Sequence, residues 1–163
     1  EGEGFSIAMR ILNVSRPANS ANCVGLAQAA LDEAVAYSKQ RVVGGQPICK
    51  KGVIAAMLAD MEMQVQSARQ MVWAVCIWIW RWAWAVCRAA NAGIFDKKLT
   101  AVAKCFCSDA AMKVTTDAVQ IFGGNGYSKE YPVEKLMRDA KIFQIFEGTN
   151  QIQRDIIGRQ LVK

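Results

Sequence analysis

One carboxylate in this sequence lies in surroundings that suit acid–base chemistry. Glu147 stands between Phe146 and Gly148, where a tight turn can direct a carboxylate into an apolar slot. A carboxylate held in this way can accept a proton from a substrate as a general base. The same position also lies just before a helix expected to start near Thr149, where acidic residues are favoured by the helix dipole. The local sequence leaves both interpretations open.

The chain has no histidine, which excludes Ser–His–Asp and Cys–His catalysis and any zinc site that needs imidazole. Its cysteines form no Cys-x-x-Cys pair, and most lie in alanine-rich apolar runs: Cys23, Cys49, Cys76, Cys87, Cys105 and Cys107. We expect buried free thiols in a reducing compartment rather than disulfides. Cys105 and Cys107 lie two positions apart, so on a helix they point to opposite sides and cannot jointly bind a metal.

The charge balance is basic, with 20 Lys and Arg against 14 Asp and Glu, a formal net charge of +6. This suits an anionic partner such as a nucleotide, coenzyme A, nucleic acid or a membrane surface, and it equally suits plain solubility. The chain opens Glu-Gly-Glu-Gly, without an initiator Met or a targeting leader. We therefore expect one domain over residues 1–163 that is a segment of a longer polypeptide.

Apolar residues recur at helical spacing through most of the chain, which predicts an all-α protein. The first helical stretch covers residues 5–40, and Pro17 is expected to start or kink a helix there. Residues 41–47 carry the glycines and proline of a turn. A second helix is expected to begin near Val53.

The second half of the chain repeats this organisation. A break at Asn91 and Gly93 and a cap at Asp96 precede a third helix, expected from about Lys98 to Phe122. Residues 123–126 are expected to form a loop, followed by helices near 133–143 and 149–161. The prediction is a four-helix bundle with an extra short helix.

The tryptophans are confined to one short segment, residues 73–87. All five lie between Trp73 and Trp84, and the tetrapeptide Trp-Ala-Val-Cys occurs at 73–76 and again at 84–87. The apolar run is interrupted by Arg81 and is short for a membrane span. A helix end packed on itself or covered by other subunits is one interpretation. An interfacial membrane or partner helix is another, and a sequence error or engineered segment is a third.

Five motifs, in order, carry a resemblance to a known family. They are GLAQAALDEA at 25–34, LADM at 58–61, AVQIFGGNGY at 118–127, YPVEKLMRDAK at 131–141 and IFEGTNQIQR at 145–154. Together they are similar to the C-terminal helical domain of the acyl-CoA dehydrogenases, most like the medium- and short-chain members. The resemblance covers essentially the whole chain apart from the tryptophan segment.

The resemblance implies a role for Glu147. In the family a carboxylate at this position removes the α proton of a fatty acyl-CoA while a hydride passes from the β carbon to FAD. Arg16 matches an arginine near that carboxylate and the acyl-CoA, and Arg159 matches one near the coenzyme A end. Phe146 and Gly148 flank the substrate in the same motif. Both arginines could instead be solvated helix charges.

The resemblance also implies FAD contacts at six positions: Arg41, Gln120, Gly123, Gly124, Thr149 and Gln151. Arg41 matches an arginine that reaches the FAD pyrophosphate of a neighbouring subunit, a role suited to its planar fork of donors. Gln120 and the two glycines match positions along a partner subunit's FAD, and the glycines permit close approach of the backbone. Thr149 and Gln151 match hydrogen-bonding positions beside the flavin. Each could alternatively be a turn or capping residue.

Three positions depart from the family pattern. Gly44-Gly45 replaces a Phe-Gly pair, and Lys51-Gly52 replaces an aromatic residue or His followed by Gln. Asn13 stands where an aspartate is expected. The first two changes remove FAD contacts.

Two hypotheses follow. The first is part of an FAD-dependent acyl-CoA dehydrogenase, a homodimer or homotetramer that passes electrons to electron-transfer flavoprotein and binds no nucleic acid. Its location would be the mitochondrial matrix in a eukaryote and otherwise the cytoplasm. The second is a dehydrogenase-derived structural subunit or binding module without flavin chemistry.

Overall fold

The computed structural model describes residues 2–86 and 97–162, and it is helical throughout most of them. The elements, in chain order, are α1 (Gly4–Gln40), β1 (Val42–Val43), β2 (Gln46–Pro47), a 3-10 turn (Ile48–Lys50), α2 (Gly52–Val86), α3 (Lys97–Phe122), a second 3-10 turn (Gly123–Tyr127), α4 (Pro132–Phe143) and α5 (Asn150–Leu161). The expected all-α bundle is confirmed. The predicted break at Asn91 and Gly93 and the cap at Asp96 lie outside the described residues.

The three long helices pack side by side, with α1 and α3 running in the same direction. Cys23 of α1 lies in the core with Cys107 of α3, and further along Tyr37 of α1 stacks on Phe122 at the end of α3. α2 runs the opposite way, because the short connection from α1 returns the chain alongside it. Both α4 and α5 pack on α3.

Small side chains allow the helices to approach closely. Alanine fills many core positions on α1, α2 and α3, and these alanines are at most 3% exposed: Ala27, Ala30, Ala34, Ala68, Ala110, Ala111 and Ala118. Larger residues, among them Met61, Val65, Val114 and Ile121, fill the space between them. The alanine-rich periodicity of the sequence is therefore the source of this core.

The helical stretch expected over residues 5–40 is confirmed as α1. The alternative in which a helix starts at Pro17 is wrong, because α1 starts at Gly4 and runs through the proline to Gln40. Proline costs a helix one backbone hydrogen bond, and a helix of 37 residues retains enough others to continue. Residues 123–126 are not an open loop but form most of a 3-10 turn, Gly123–Tyr127.

The predicted turn at 41–47 is present and contains a minimal hairpin. Val42 pairs with Pro47 and Val43 with Gln46. Gly44 and Gly45 both have positive φ, 66° and 78°, which is the geometry of a two-residue hairpin turn whose twist matches its strands. Two-residue strands are too short to produce a period-two pattern in the sequence.

The tryptophan segment continues α2 as far as Val86. Trp73 is 58% exposed and Ile77 is 54% exposed, whereas Val75 on the same stretch is buried. The proposed grouping of Trp73 with Trp80 and Trp84, and of Trp78 with Trp82, lies outside the described side chains. Among the helices that the structure describes, none is both long enough and apolar enough to cross a membrane.

Three of the five thiols that the structure describes are buried as the sequence predicts, and the prediction of burial is wrong for Cys76. Cys23, Cys105 and Cys107 are buried, Cys49 is half-buried and Cys76 is exposed, and all five are free. Cys105 faces Asn150 of α5, while Cys107 faces Ala68 of α2, so the two do point to opposite sides of α3. Residues 2–86 and 97–162 contain no cluster of ligands that could hold a metal ion.

Candidate active site

Glu147 lies at the centre of the turn that joins α4 to α5. The chain leaves α4 through backbone bonds from Ile145 and Phe146 to the carbonyl of Ile142, and Asn150 N–H closes the turn on the carbonyl of Gln144 at 3.0 Å. Glu147 has φ 58°, the only positive φ at a non-glycine residue within the described ranges. A left-handed backbone at a residue with a side chain costs free energy and needs support from its surroundings.

The carboxylate of Glu147 faces α1, not the start of α5. Ser15 Oγ donates to Glu147 Oε2 at 2.6 Å. The N-cap of α5 is Thr149, whose hydroxyl oxygen accepts from the N–H of Ile152 at 3.3 Å. Glu147 therefore does not cap this helix, and its half-buried carboxylate accepts a short hydrogen bond from a neighbouring helix.

Carbonyl oxygens of the turn are held by side chains from three helices. Arg16 Nε on α1 donates to Glu147 O at 3.3 Å. Gln153 Nε2 on α5 donates to Glu147 O at 3.2 Å and to Gly148 O at 3.0 Å. Lys104 Nζ on α3 donates to Gly148 O at 2.8 Å. These bonds supply the support that the left-handed turn requires.

Gly148 is required by this packing as well as by its backbone. It has φ 86°, and a Cβ at this position would lie 2.7 Å from Gln153 Nε2. A side chain here would displace the amide that bonds both turn carbonyls. Phe146, on the other side of Glu147, is partly exposed and packs edge-on against Phe143, with ring centroids 5.1 Å apart.

The cations behind the turn are unusually buried. Arg16 is 4% exposed and Lys104 is 2% exposed. Burial lowers the pKa of Arg16, opposed by the negative charge of Glu147 nearby. Burial also lowers the pKa of Lys104, while Cys105 and Cys23 oppose the shift. The turn therefore packs against two basic side chains that are buried away from water.

A second cluster lies at the other end of the bundle, where α1 and α3 end. A pocket of about 540 Å³ is lined by residues from the hairpin, both helix ends and the start of α2: Tyr37, Arg41, Val43, Ile48, Lys51, Ile54, Ile121, Phe122, Gly123, Gly124 and Asn125. Three of the predicted FAD positions, Arg41, Gly123 and Gly124, thus share one pocket. Tyr37 packs two of the other lining residues together. Its ring stacks on that of Phe122 with centroids 4.0 Å apart, and its hydroxyl accepts a hydrogen bond from Asn125 Nδ2 at 2.9 Å.

This pocket suits a phosphate-bearing group. Arg41 and Lys51 both line it, giving two cationic side chains, and additional Cβ atoms at Gly123 or Gly124 would meet nothing within 4 Å. The glycine backbone is therefore open to close approach. Lys51 thus adds a second positive charge to the pocket beside that of Arg41.

The remaining predicted positions lie outside both clusters. Gln120 and Gln151 are exposed. Arg159 is exposed on the last turn of α5, where its Nε lies 2.9 Å from Asp155 Oδ1. The structure therefore does not bring Gln120, Gln151 and Arg159 to the Glu147 turn. The predicted positions that do lie together there are Arg16, Phe146, Glu147, Gly148 and Thr149.

Sequence reasoning missed several residues of the site. Ser15, Lys104 and Gln153 each bond to the Glu147–Gly148 turn, and none was singled out. A signal did exist for Lys104. It falls on a stripe of α3 with Thr100 and Ser108, spaced four apart and all buried, so a lysine occupied a core-facing position.

The chain is similar to known proteins in both sequence and fold. The family model described as acyl-CoA dehydrogenase, C-terminal domain, matches residues 2–162. The short-chain-specific acyl-CoA dehydrogenase of Megasphaera elsdenii is 48% identical over 163 residues, covering 100% of this chain and 40% of that protein. The chain therefore belongs to the acyl-CoA dehydrogenase family, of which it represents the C-terminal helical domain.

Solved structures give the same result. Butyryl-CoA dehydrogenase from Megasphaera elsdenii matches with a TM-score of 0.86 at 47% identity, covering 100% of this chain and 40% of that one. A chain from the structure described as electron transferring flavoprotein of Acidaminococcus fermentans matches with a TM-score of 0.86 at 44% identity and the same coverage. The chain thus spans 40% of the length of the relatives that it matches.

Proposed function

We propose that the protein carrying this chain is an FAD-dependent acyl-CoA dehydrogenase, with Glu147 as the base that removes the α proton. The observation that carries this proposal is the placement of Glu147. Its carboxylate projects from a left-handed turn that side chains of α1, α3 and α5 hold in position. A base fixed in this way meets its substrate in one orientation, which is the main requirement for general-base catalysis.

The residues around Glu147 have distinct roles in the proposed reaction. Ser15 directs the carboxylate through its 2.6 Å bond to Oε2. Arg16 lies behind the turn and places a positive charge close to the carboxylate in the ground state. Phe146 and Gly148 border the acyl group, and Arg159 lies toward the coenzyme A end. Glu147 accepts the α proton of a fatty acyl thioester.

FAD fits the second cluster of the chain. Bound FAD would accept the hydride that leaves the β carbon of the acyl group. Arg41 would pair with the pyrophosphate of a neighbouring subunit's FAD, the backbone of Gly123 and Gly124 would permit its close approach, and Lys51 would add a second positive charge. Gln120 would join these contacts to the partner subunit's FAD, whereas Thr149 and Gln151 would bond beside the flavin at the Glu147 end. These last three contacts are assigned from the resemblance alone.

Substrate and partners follow from the same proposal. One relative is described as short-chain specific and another as butyryl-CoA dehydrogenase, which supports an acyl-CoA substrate. Electron-transfer flavoprotein is the proposed electron acceptor, and a homodimer or homotetramer is the proposed assembly. The relatives are bacterial, which supports a cytoplasmic setting over a mitochondrial matrix.

A structural or binding module without flavin chemistry is the second candidate. It is favoured by the hairpin, where Gly44 and Gly45 provide no ring to pack on a cofactor, and Val42 and Val43 are exposed. The two candidates differ in flavin content, which can be measured directly.

The test is a visible absorption spectrum of the purified full-length protein. The proposal predicts a flavin band that bleaches when acyl-CoA is added. Arg41→Ala should lower the flavin content, whereas Lys39→Ala, on the last turn of the same helix but outside the pocket, should not. A protein that binds no flavin when FAD is supplied would overturn the proposal and favour the binding module.

A further inference from the structure

Lys104 is a buried cation whose hydrogen-bond acceptors are uncharged. Nζ donates to the carbonyl of Gly148 and to Asn150 Oδ1, both at 2.8 Å. The side chain is 2% exposed, and burial lowers its pKa. Taking an ammonium group out of water is costly, and two neutral acceptors offset only part of that cost.

One of the two acceptors that Lys104 uses has another donor. Gly148 O also accepts from Gln153 Nε2 at 3.0 Å, so removal of the ammonium would not leave this carbonyl unpaired. Asn150 Oδ1 would retain only the hydroxyl of Ser108 at 3.1 Å, whose single proton lies closer to the carbonyl of Lys104 at 2.8 Å. An apolar side chain of similar shape in place of a buried charged group is often neutral or stabilising. Fold stability alone thus gives little reason for a lysine here.

Lys104 joins two residues that flank the turn on its α5 side. Gly148 follows Glu147 directly, and Asn150 is the first residue of α5. One ammonium group bonds both, so it fixes the exit of the turn relative to α3. Arg16 and Gln153 bond the carbonyl of Glu147 itself.

We propose that Lys104 is a positioning residue for Glu147, holding the left-handed turn so that the carboxylate meets the α carbon of the substrate. The inference rests on the proposed function of Glu147 as the base. Lys104 acts through the backbone and touches no substrate.

The test compares Lys104→Met with Lys113→Met in the full-length protein. Met keeps an unbranched stem of similar size but cannot donate, and Lys113 is an exposed lysine on the same helix. Hydrogen exchange measured by mass spectrometry should rise in the segment 144–153 of Lys104→Met by roughly ten-fold or more, as expected for loss of a charged hydrogen bond. Exchange in α1 and α3, and the melting temperature, should stay near wild type. Lys113→Met should change neither.

Kinetics supply the second measurement. At saturating acyl-CoA, flavin reduction by Lys104→Met should be slower by about ten- to a hundred-fold, because a small misplacement of a catalytic group is costly. The half-saturating acyl-CoA concentration should stay within about two-fold of wild type, since binding contacts remain. A purely structural lysine would instead lower the melting temperature and raise exchange throughout the bundle, and that result would overturn the proposal.

Failure of the proposed function gives a different result. If Glu147→Gln reduces flavin at the wild-type rate, the base has been misassigned, and Lys104 is not a positioning residue for it. If Glu147→Gln is inactive while Lys104→Met shows wild-type exchange and rate, only the inference about Lys104 is overturned.

Discussion

At the scale of single residues, the pair Glu147–Gly148 determines the geometry of the site. Both have positive φ, which reverses the chain between α4 and α5 within a few residues. Glycine adopts this conformation at little cost, but glutamate does so at about 1–3 kcal/mol. A strained glutamate where a less costly residue would serve the turn equally well is the kind of feature found at functional sites.

Gly148→Ala should destabilise the protein by about 1–3 kcal/mol, from the strained backbone and from displacement of Gln153. The matched control is Gly25→Ala in α1, where φ is ordinary and a Cβ would meet nothing within 4 Å. That change should stabilise by about 0.5–1 kcal/mol, as alanine does in a helix interior. Urea unfolding of both variants measures these free energies. Equal stability of Gly148→Ala and wild type would show that the turn is not constrained as described.

The sequence predicted the turn at Glu147 but not the residues that bond to it. The order Phe-Glu-Gly predicts a tight turn that directs a carboxylate into an apolar slot. The turn is present, and its half-buried carboxylate accepts a hydrogen bond from Ser15. Ser15 lies 132 positions from Glu147 in the chain, and Lys104 lies 44 positions from Gly148. Contacts over such separations depend on how the helices are aligned, which periodicity alone does not define.

At the scale of elements, Asp109 connects α3 to the turn and to α5. Its carboxylate accepts from Gln144 and Asn150, both at 2.7 Å, and pairs with Arg154. Burial raises the pKa of Asp109, but the bonds from Arg154, Gln144 and Asn150 outweigh it and hold this pKa below its usual range. The charged carboxylate is therefore part of the folded structure.

The free energy of unfolding should depend on pH through Asp109. Because its pKa is lowered on folding, its stabilising effect is present above the unfolded pKa of about 3.9 and is lost as pH falls through the folded value. Asp109→Asn should cost about 1–2 kcal/mol at pH 7, and this difference from wild type should shrink below about pH 4. Urea unfolding between about pH 3 and 7 measures this difference.

A matched variant separates this effect from that of surface charge. Asp139 pairs with Lys135 on exposed α4, so Asp139→Asn should cost less than about 1 kcal/mol at any pH. If both variants lose the same free energy at every pH, Asp109 does not link the elements through its charge.

The elements themselves were largely predictable. Long runs of helical spacing located the start of α2 and both ends of α3, α4 and α5 to within one or two residues. Pro17 does not start a helix, because the packing of a long helix can outweigh one lost backbone hydrogen bond. The hairpin was too short to leave a strand pattern, although its glycines and proline identified the turn.

At the scale of the whole molecule, the two clusters lie at different ends of the bundle. The Glu147 turn contacts α1 near Ser15 and Arg16, whereas the pocket with Arg41 lies where α1 ends. Under the proposed function, Arg41 would serve the cofactor of a neighbouring subunit, so each chain would contribute to two sites. Exposed Phe5, Ile7 and Ile11 at the start of α1 add apolar surface that a larger assembly could bury.

The full-length protein should therefore be a dimer or tetramer. Sedimentation velocity at micromolar concentration should give a mass of two or four chains. Arg41→Ala should lower flavin content without changing the helical circular dichroism spectrum. A monomer that retains stoichiometric flavin would contradict the shared-site arrangement.

The most direct test of the account is Glu147→Gln in the full-length protein, with flavin reduction followed after mixing with acyl-CoA. The amide is close in size to the carboxylate and can still accept from Ser15, so the turn should persist, but it cannot accept the α proton. Bleaching should slow by roughly a hundred- to ten-thousand-fold while acyl-CoA binding stays nearly unchanged. Thr149→Ala, which removes the α5 cap, should weaken flavin retention more than proton abstraction. A Glu147→Gln variant that bleaches at the wild-type rate would contradict the assignment of Glu147 as the base.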